Sequence, residues 1–328
     1  MSSKPILITG ATGFVGRHLV ERLLKDDVGL VLAVRDIERG PPHWRDQDRI
    51  RVTGMDQAPW REKLRPLTGS GIGTVVHLAG LAHVREGSAS VAEALEKTNV
   101  ELTRQLVEAA LDIGVERFVH MSSVAAITSN SSADVVSDAA EGVSDTLYGR
   151  TKRAAEAEVR RVAEAGYFAV SLRPPLVVGA DAKGNWALLQ RLAATGLPLP
   201  FASTRNQRSF IGIRSLAEII VSLCRMPRPA ELSGEYCIAH PDWLSLREMV
   251  HLLRRGMGQP DRLFACPPGI LRLVSSLAGR GRQVAGLTGD LKIDASRFFS
   301  KFPDCSPGCI RDEIEESGFE YIRSRRGR

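Results

Sequence analysis

No uninterrupted apolar run reaches the roughly 18 residues that a bilayer-spanning helix requires, so no integral membrane segment is expected. Aromatic residues make up only 5% of the chain, and no stripe of them alternates with arginine. A nucleic-acid surface is therefore not expected, despite a formal charge of +6. Part of that charge gathers at Arg323, Arg325, Arg326 and Arg328, which read as a solvated tail. The five cysteines are scattered. Only Cys305 and Cys309 stand close, with no second pair and no histidine beside them, so reduced thiols are expected and no metal site. Internal repeats and low-complexity tracts are missing. Ahead of the first apolar run stands only Lys4, and the run is too short for a signal peptide, so a cytoplasmic protein is expected.

What the chain has is concentrated at its start. Pro5-Ile-Leu-Ile-Thr9 is a short β-branched run of the kind that forms a buried strand, and residues 14–25 repeat apolar positions at helical spacing. Between them stands Gly10-Ala-Thr12-Gly13-Phe14-Val15-Gly16. A tight turn with unusual dihedrals, backbone able to approach a pyrophosphate, and a helix N-terminus facing an anion together make a dinucleotide site. The spacing is glycine, two residues, glycine, two residues, glycine, so its weight comes from its place between a strand and a helix.

Residues 30–34 read as a second strand ending at Arg35-Asp36, where a dinucleotide fold meets the adenosine ribose. A carboxylate there binds a 2′-hydroxyl and an arginine tolerates a 2′-phosphate; with Arg35 first, the reading is NAD(P), leaning towards NADP(H). Residues 50–53 give a third strand, with Asp56 near its end as a contact to adenine, and residues 74–79 a fourth, apolar on both faces. Leu78-Ala79-Gly80 closes that strand, and the glycine lets backbone approach a ligand. His77 reads as a satisfied core histidine. Residues 88–113 form a long helical stretch interrupted by Asn99, whose amide either binds beside the site or faces solvent. Residues 117–121 are a fifth strand closing at Ser122-Ser123, the end at which open α/β sheets place ligands. A polar stretch, 128–145, reads as a surface loop able to cover a site. Helices are expected at 148–165, 186–195 and 245–257, and a sixth strand at 167–172. Residues 270–287 are apolar but cut by arginines, and read as a packed helix in preference to a membrane-surface patch.

Tyr148 and Lys152 lie four apart, on one helical face, and of the four tyrosines only this one has lysine at that spacing. An ammonium group near a phenol favours the phenolate, so Lys152 is expected to tune Tyr148 for proton transfer while hydride moves to or from a nicotinamide. Ser123 would hydrogen-bond the reacting oxygen and fix its position.

At this point the chain resembles the extended short-chain dehydrogenases/reductases, specifically their nucleotide-sugar epimerase and dehydratase group. The motifs are Thr9-Gly-Ala-Thr-Gly-Phe-Val-Gly16, His77-Leu-Ala-Gly80, Asn99-Val with Thr103, Ser122-Ser123-Val124, Tyr148-Gly-x-x-Lys152, Leu172-Arg-Pro-Pro-Leu-Val-Val-Gly179 and Arg208-Ser-Phe-Ile. The resemblance implies a Rossmann-type doubly wound parallel sheet with a smaller α/β substrate-binding domain. It divides the chain into an NAD(P)-binding domain, 1–178, rejoined by about 208–238, and a mainly nucleotide-sugar-binding domain, 179–328. Ser123, Tyr148 and Lys152 become the catalytic trio. The cofactor meets the glycine turn, Arg35, Asp56, Leu78, Ala79, Gly80, Asn99, Tyr148 and Lys152. Ser123, Asn185 and Arg208 meet a UDP-sugar, Arg208 on its diphosphate. The run Lys183-Gly-Asn-Trp with Gly196-Leu-Pro-Leu-Pro200 is similar to polysaccharide-cluster enzymes that reduce a UDP-4-keto-6-deoxy-N-acetylhexosamine. A UDP-sugar 4-epimerase is the alternative, and a non-catalytic NAD(P)-binding regulator a distant one. Departures include Val178 where the family often has tyrosine, and a second phosphate-binding arginine for which only Arg280 or Arg282 offers itself. The oligomeric state is left open, a homodimer included.

Overall fold

The computed structural model describes residues 4–54, 62, 71–82, 88–129, 131–140, 142, 144–225, 229–267, 269–270 and 286–326. Asp56, Arg280, Arg282 and most of the apolar stretch 270–287 lie outside the described residues.

Strand β1 (Ile6–Thr9) shows how the sheet is built. Ile6 and Ile8 enter one apolar cluster and Leu7 another, so alternate side chains of one strand are buried in opposite layers. The same alternation holds in β2 (Leu30–Val34), where Leu30, Leu32 and Val34 face one layer and Val31 and Ala33 the other. Strands buried on both faces need helices on both faces, and hence parallel pairing. With β3 (Ile50–Gly54), β4 (Thr74–His77), β5 (Arg117–Met121), β6 (Phe168–Arg173) and β9 (Gly234–Cys237) they form one seven-stranded sheet, ordered β3-β2-β1-β4-β5-β6-β9 and parallel throughout. The order reverses between β1 and β4, which opens a crevice at the strands' carboxyl ends. The short strands β7 (Leu176–Val178) and β8 (Phe210–Gly212) pair in a separate sheet.

Helix α1 (Phe14–Leu23) covers one face of the sheet; α2 (Ala89–Leu95), α3 (Leu102–Ile113) and α4 (Leu147–Glu164) lie on the other side, α3 and α4 packing against each other. A third apolar cluster belongs to the carboxyl-terminal half. Trp186 and Leu189 of α5 (Gly184–Ala194) meet Met249 and Leu253 of a later helix, α7 (Leu246–Met257), together with Ile310 and Ile314. Between them in sequence, α6 (Ile213–Arg225) returns to the first core and packs beside α1.

Two expectations change in detail. The helical stretch 88–113 is not one helix, because residues Glu96–Glu101 between α2 and α3 widen into a π-helical segment that contains Asn99. Such segments carry a side chain out of the regular ladder, often at a functional site. The stretch 128–145 lies largely at the surface where it is described, with one anchored part. Val136 is buried and bridges to Ile293, and Ser132 N donates to Asp290 O at 2.8 Å, so part of it is tied to the carboxyl-terminal half.

Candidate active site

The glycine turn lies at the crevice. Gly10 has φ +71°, a conformation that favours glycine, and a Cβ on it would lie 2.7 Å from the backbone nitrogen of Ala79. β1 and the end of β4 can therefore approach only because this residue has no side chain. A Cβ on Gly16 would overlap the Gly10 carbonyl oxygen, so the turn is closed on itself. Gly13 is the N-cap of α1 and offers no side-chain cap, which leaves the helix's first N–H groups for an external acceptor. These observations fit a dinucleotide pyrophosphate at the turn. Thr12, Phe14 and Val15 are partly buried around it, and Phe14 packs edge-on against His18 with ring centroids 5.5 Å apart.

Arg35 and Asp36 are exposed at the end of β2. The Asp36 carboxylate accepts from Glu38 N at 3.0 Å and stands 3.6 Å from Arg39 Nε, so it is engaged by its own turn.

One hydrogen-bonded chain orders the floor of the crevice. His77 Nδ1 pairs with Thr9 Oγ1 at 2.7 Å and Nε2 with Thr103 Oγ1 at 2.9 Å, while Ala79 N donates to Thr9 Oγ1 at 3.2 Å. His77 is a satisfied core histidine. Burial first, and the Lys152 charge second, hold it neutral with a pKa lowered to about 3. Asn99, also buried, accepts from Leu81 N at 2.7 Å and donates to Leu81 O and Thr151 Oγ1, both at 3.1 Å. The amide thereby joins the Leu78-Ala79-Gly80 segment to α4, and does not face solvent.

Ser123 and Tyr148 meet because two backbones touch. Ser123 is extended at the end of β5 and caps a short turn, accepting from Ala125 N at 3.2 Å. Helix α4 starts on that turn. Thr146 caps it, accepting from Gly149 N at 3.0 Å, and a Cβ on Gly149 would overlap the Ala125 carbonyl oxygen. Tyr148 is thus delivered beside Ser123, and the two hydroxyls are hydrogen-bonded. Burial raises the phenol above its ordinary value, opposed by the Ser123 bond, so the phenol is protonated at neutral pH. The expected ammonium effect is not what governs Tyr148 here, because Lys152 is directed elsewhere. Its Nζ donates to Met121 O at 2.8 Å and lies against Gly80. Burial lowers Lys152 to about 8, opposed by Glu156.

The substrate candidates lie in the other half. Arg208 is 6% exposed, pairs through its backbone with Leu244, and donates from Nη1 to Gly289 O at 2.7 Å. Burial lowers its guanidinium to about 10, opposed by Asp290. Asn185 is partly buried on the first turn of α5, its amide beside Gly286. The same region holds a residue that sequence reasoning passed over. Asn206 is buried, donates to Leu287 O at 3.0 Å and accepts from Leu246 N at 3.1 Å, with no motif to announce it. Among the described residues no cluster of three His, Cys, Asp or Glu could hold a metal, and no helix is long and apolar enough to cross a membrane.

Residues 6–239 match the model of the NAD dependent epimerase/dehydratase family. The UDP-glucose 4-epimerase of Vibrio cholerae is 32% identical over 326 residues, 98% of this chain and 96% of that protein. The ceramide reductase of Caulobacter vibrioides is 32% identical over 271 residues, covering 81% and 75%. Among solved structures, a UDP-glucuronic acid 4-epimerase from Bacillus cereus in complex with UDP-glucuronic acid and NAD superimposes with a TM-score of 0.76 at 19% identity, covering 98% of this chain and 99% of that one.

Proposed function

The chain belongs to the NAD dependent epimerase/dehydratase family, and on that premise we propose that it reduces the 4-keto group of a UDP-4-keto-6-deoxy-N-acetylhexosamine with NAD(P)H. The product would be of the UDP-N-acetylquinovosamine type, for surface polysaccharide synthesis. The observation that carries the reading is the hydroxyl pair of Ser123, at the end of β5, and Tyr148, on the first turn of α4, with burial keeping the phenol in its proton-donating form. The nucleotide-sugar assignment draws on the Vibrio relative, whose name specifies a UDP-sugar.

In this reading the backbone of residues 10–16 holds the cofactor's pyrophosphate, and Gly80, Asn99 and Lys152 line the path to its nicotinamide, which supplies the hydride. Tyr148 Oη gives its proton to the oxygen that becomes the alcohol. Ser123 Oγ hydrogen-bonds that oxygen and sets its distance from the phenol. Lys152, whose Nζ donates to Met121 O at 2.8 Å, would hold the ribose hydroxyls. Arg208 pairs with the diphosphate and Asn185 lies along the sugar-nucleotide. The exposed Arg35, beside an Asp36 engaged by its own turn, favours NADP(H). Arg35→Ala is expected to lower the preference for NADPH over NADH by about tenfold, a purely electrostatic contact at an exposed site. Steady-state kinetics with both cofactors checks this.

A UDP-sugar 4-epimerase is the second reading, favoured by the Vibrio relative's match over nearly the whole chain. An epimerase must first take a proton onto Tyr148, and it leaves total cofactor unchanged. Purified protein mixed with UDP-4-keto-6-deoxy-N-acetylglucosamine and each reduced nicotinamide separates the two. One reduced cofactor consumed per keto-sugar supports the reductase; no consumption there, with a UDP-hexose converted to its C4 epimer at constant cofactor in a parallel incubation with the oxidised form, supports the epimerase.

A further inference from the structure

Tyr148, Lys152 and Glu156 are spaced by four along α4 and so share one helical face. The chemistry proposed above uses the first two and has no task for a carboxylate. Yet Glu156 is wholly buried, where an ionised carboxyl is costly unless it is paired and hydrogen-bonded. Its pairing is complete and comes from two strands. Arg173 on β6 grips both oxygens, Nε to Oε1 at 2.8 Å and Nη2 to Oε2 at 2.7 Å, and Ser122 Oγ donates to Oε1 at 2.5 Å. Ser122 adjoins Ser123. Arg173 precedes Pro174, whose carbonyl oxygen accepts from Val124 N at 3.1 Å. One carboxylate therefore ties the residues on both sides of Ser123 to the helix that carries Tyr148 and Lys152.

We propose that Glu156 is a positioning residue with two duties: it fixes the Ser123 strand tip against α4, and its charge keeps Lys152 cationic. The proposal rests on the reading of Ser123 and Lys152 as working groups of the site. Among the described residues the groups that face Lys152 are few. On its own helix it is Glu156, itself paired with the Arg173 cation of β6; from β4 and β5 they are His77 and His120, stacked with centroids 5.6 Å apart. Both histidines are held neutral by burial and by Lys152 itself, so neither adds charge in the working pH range. Asn99 and Gly80 are uncharged. Glu156 is the anion that opposes the burial of Lys152.

Glu156→Gln keeps the size and removes the charge. Lys152 protonation can be read without any sugar, from the pH dependence of its acylation by acetic anhydride followed by peptide mass spectrometry. The affinity for reduced nicotinamide, followed by its fluorescence from pH 6 to about pH 10, provides a second reading over the span in which lysine titrates. The native midpoint is expected near 8, and Glu156→Gln should move it down by about one pH unit or more. Ser122→Ala removes only the hydrogen bond; it should leave the midpoint in place while lowering kcat about three- to tenfold. Removing one partner of a buried ion pair destabilises a fold strongly. Should the single variant fail to fold, Glu156→Gln with Arg173→Gln strands neither charge; because a cation leaves with the anion, its midpoint should move down by less than in the single variant but still lie below the native one. A folded protein lacking the Glu156 charge with an unmoved Lys152 midpoint overturns the proposal, as does an equal shift in Ser122→Ala. If the midpoint moves while the native protein reduces no keto-sugar, the positioning role stands and the reductase reading falls.

Discussion

The two sides of the crevice are built by different means. On the cofactor side, backbone meets backbone: Gly10 lies against Ala79, Gly16 against Gly10, and Gly149 against Ala125, each contact requiring that a side chain be missing. On the other side, side chains reach across long loops. Asn206 joins Leu246 and Leu287, Arg208 joins Leu244 and Gly289, and Ser209 accepts from Ile293 N. The first kind of construction fixes the placement of reacting groups and tolerates no substituent. The second fixes a shape that variation in the loops can alter.

The comparison breaks first at Gly16. Gly16→Ala puts a methyl into the Gly10 carbonyl, and saturable binding of reduced nicotinamide is expected to vanish in a fluorescence titration. Retained affinity would mean the turn is not the cofactor's seat. Tyr148→Phe comes next, with kcat expected to fall about 10³-fold while cofactor affinity stays within about threefold, the pattern of a lost proton donor. Arg208→Met tests the other side. It should raise KM for a UDP-sugar about tenfold or more through the lost diphosphate contact and leave cofactor affinity alone; an equal loss of cofactor binding would show that the two sides are not separable.

The smallest effect is one of acidity. His77 is held neutral at a pKa of about 3, against an ordinary value of 6.5. A depressed pKa contributes stability that is complete above 6.5 and is lost as pH falls towards 3. At pH 5 that loss is roughly 2 kcal/mol, read as a Tm some degrees below that at pH 7. Lys152 is protonated in both states across this window and adds no slope. His120, buried beside it and also held neutral, adds a loss of the same sign, so His77→Gln should reduce the difference by its own share and leave the rest, and an unchanged slope would assign it elsewhere.

How much of this was legible in the sequence follows the same division. The β1-turn-α1 unit shows because strand, glycines and helix are neighbours in the chain, and the Tyr148–Lys152 spacing shows because one helix carries both. The sheet's first six strands were readable as apolar runs. β7, β8 and β9 owe their structure to partners far away in the chain, and no local pattern marks them. The π-helical segment at Asn99 was hidden because the amide's partner, Leu81, lies on another element. Glu156 looked like any helical glutamate until Arg173 and Ser122 were brought to it. Stretch 128–145 read as a cover because its tie to 290–294 spans most of the carboxyl-terminal half.

The central claim is that hydride and proton arrive together at one sugar oxygen and its carbon, the proton from Tyr148. Its most direct test is isotope transfer with cofactor deuterated at the nicotinamide C4 and UDP-4-keto-6-deoxy-N-acetylglucosamine as acceptor. One deuterium at C4 of each product sugar and one oxidised cofactor formed with it, both appearing about 10³-fold more slowly in Tyr148→Phe, is the predicted result. Sugar turned over without deuterium entering C4, or an undiminished rate in Tyr148→Phe, would contradict it.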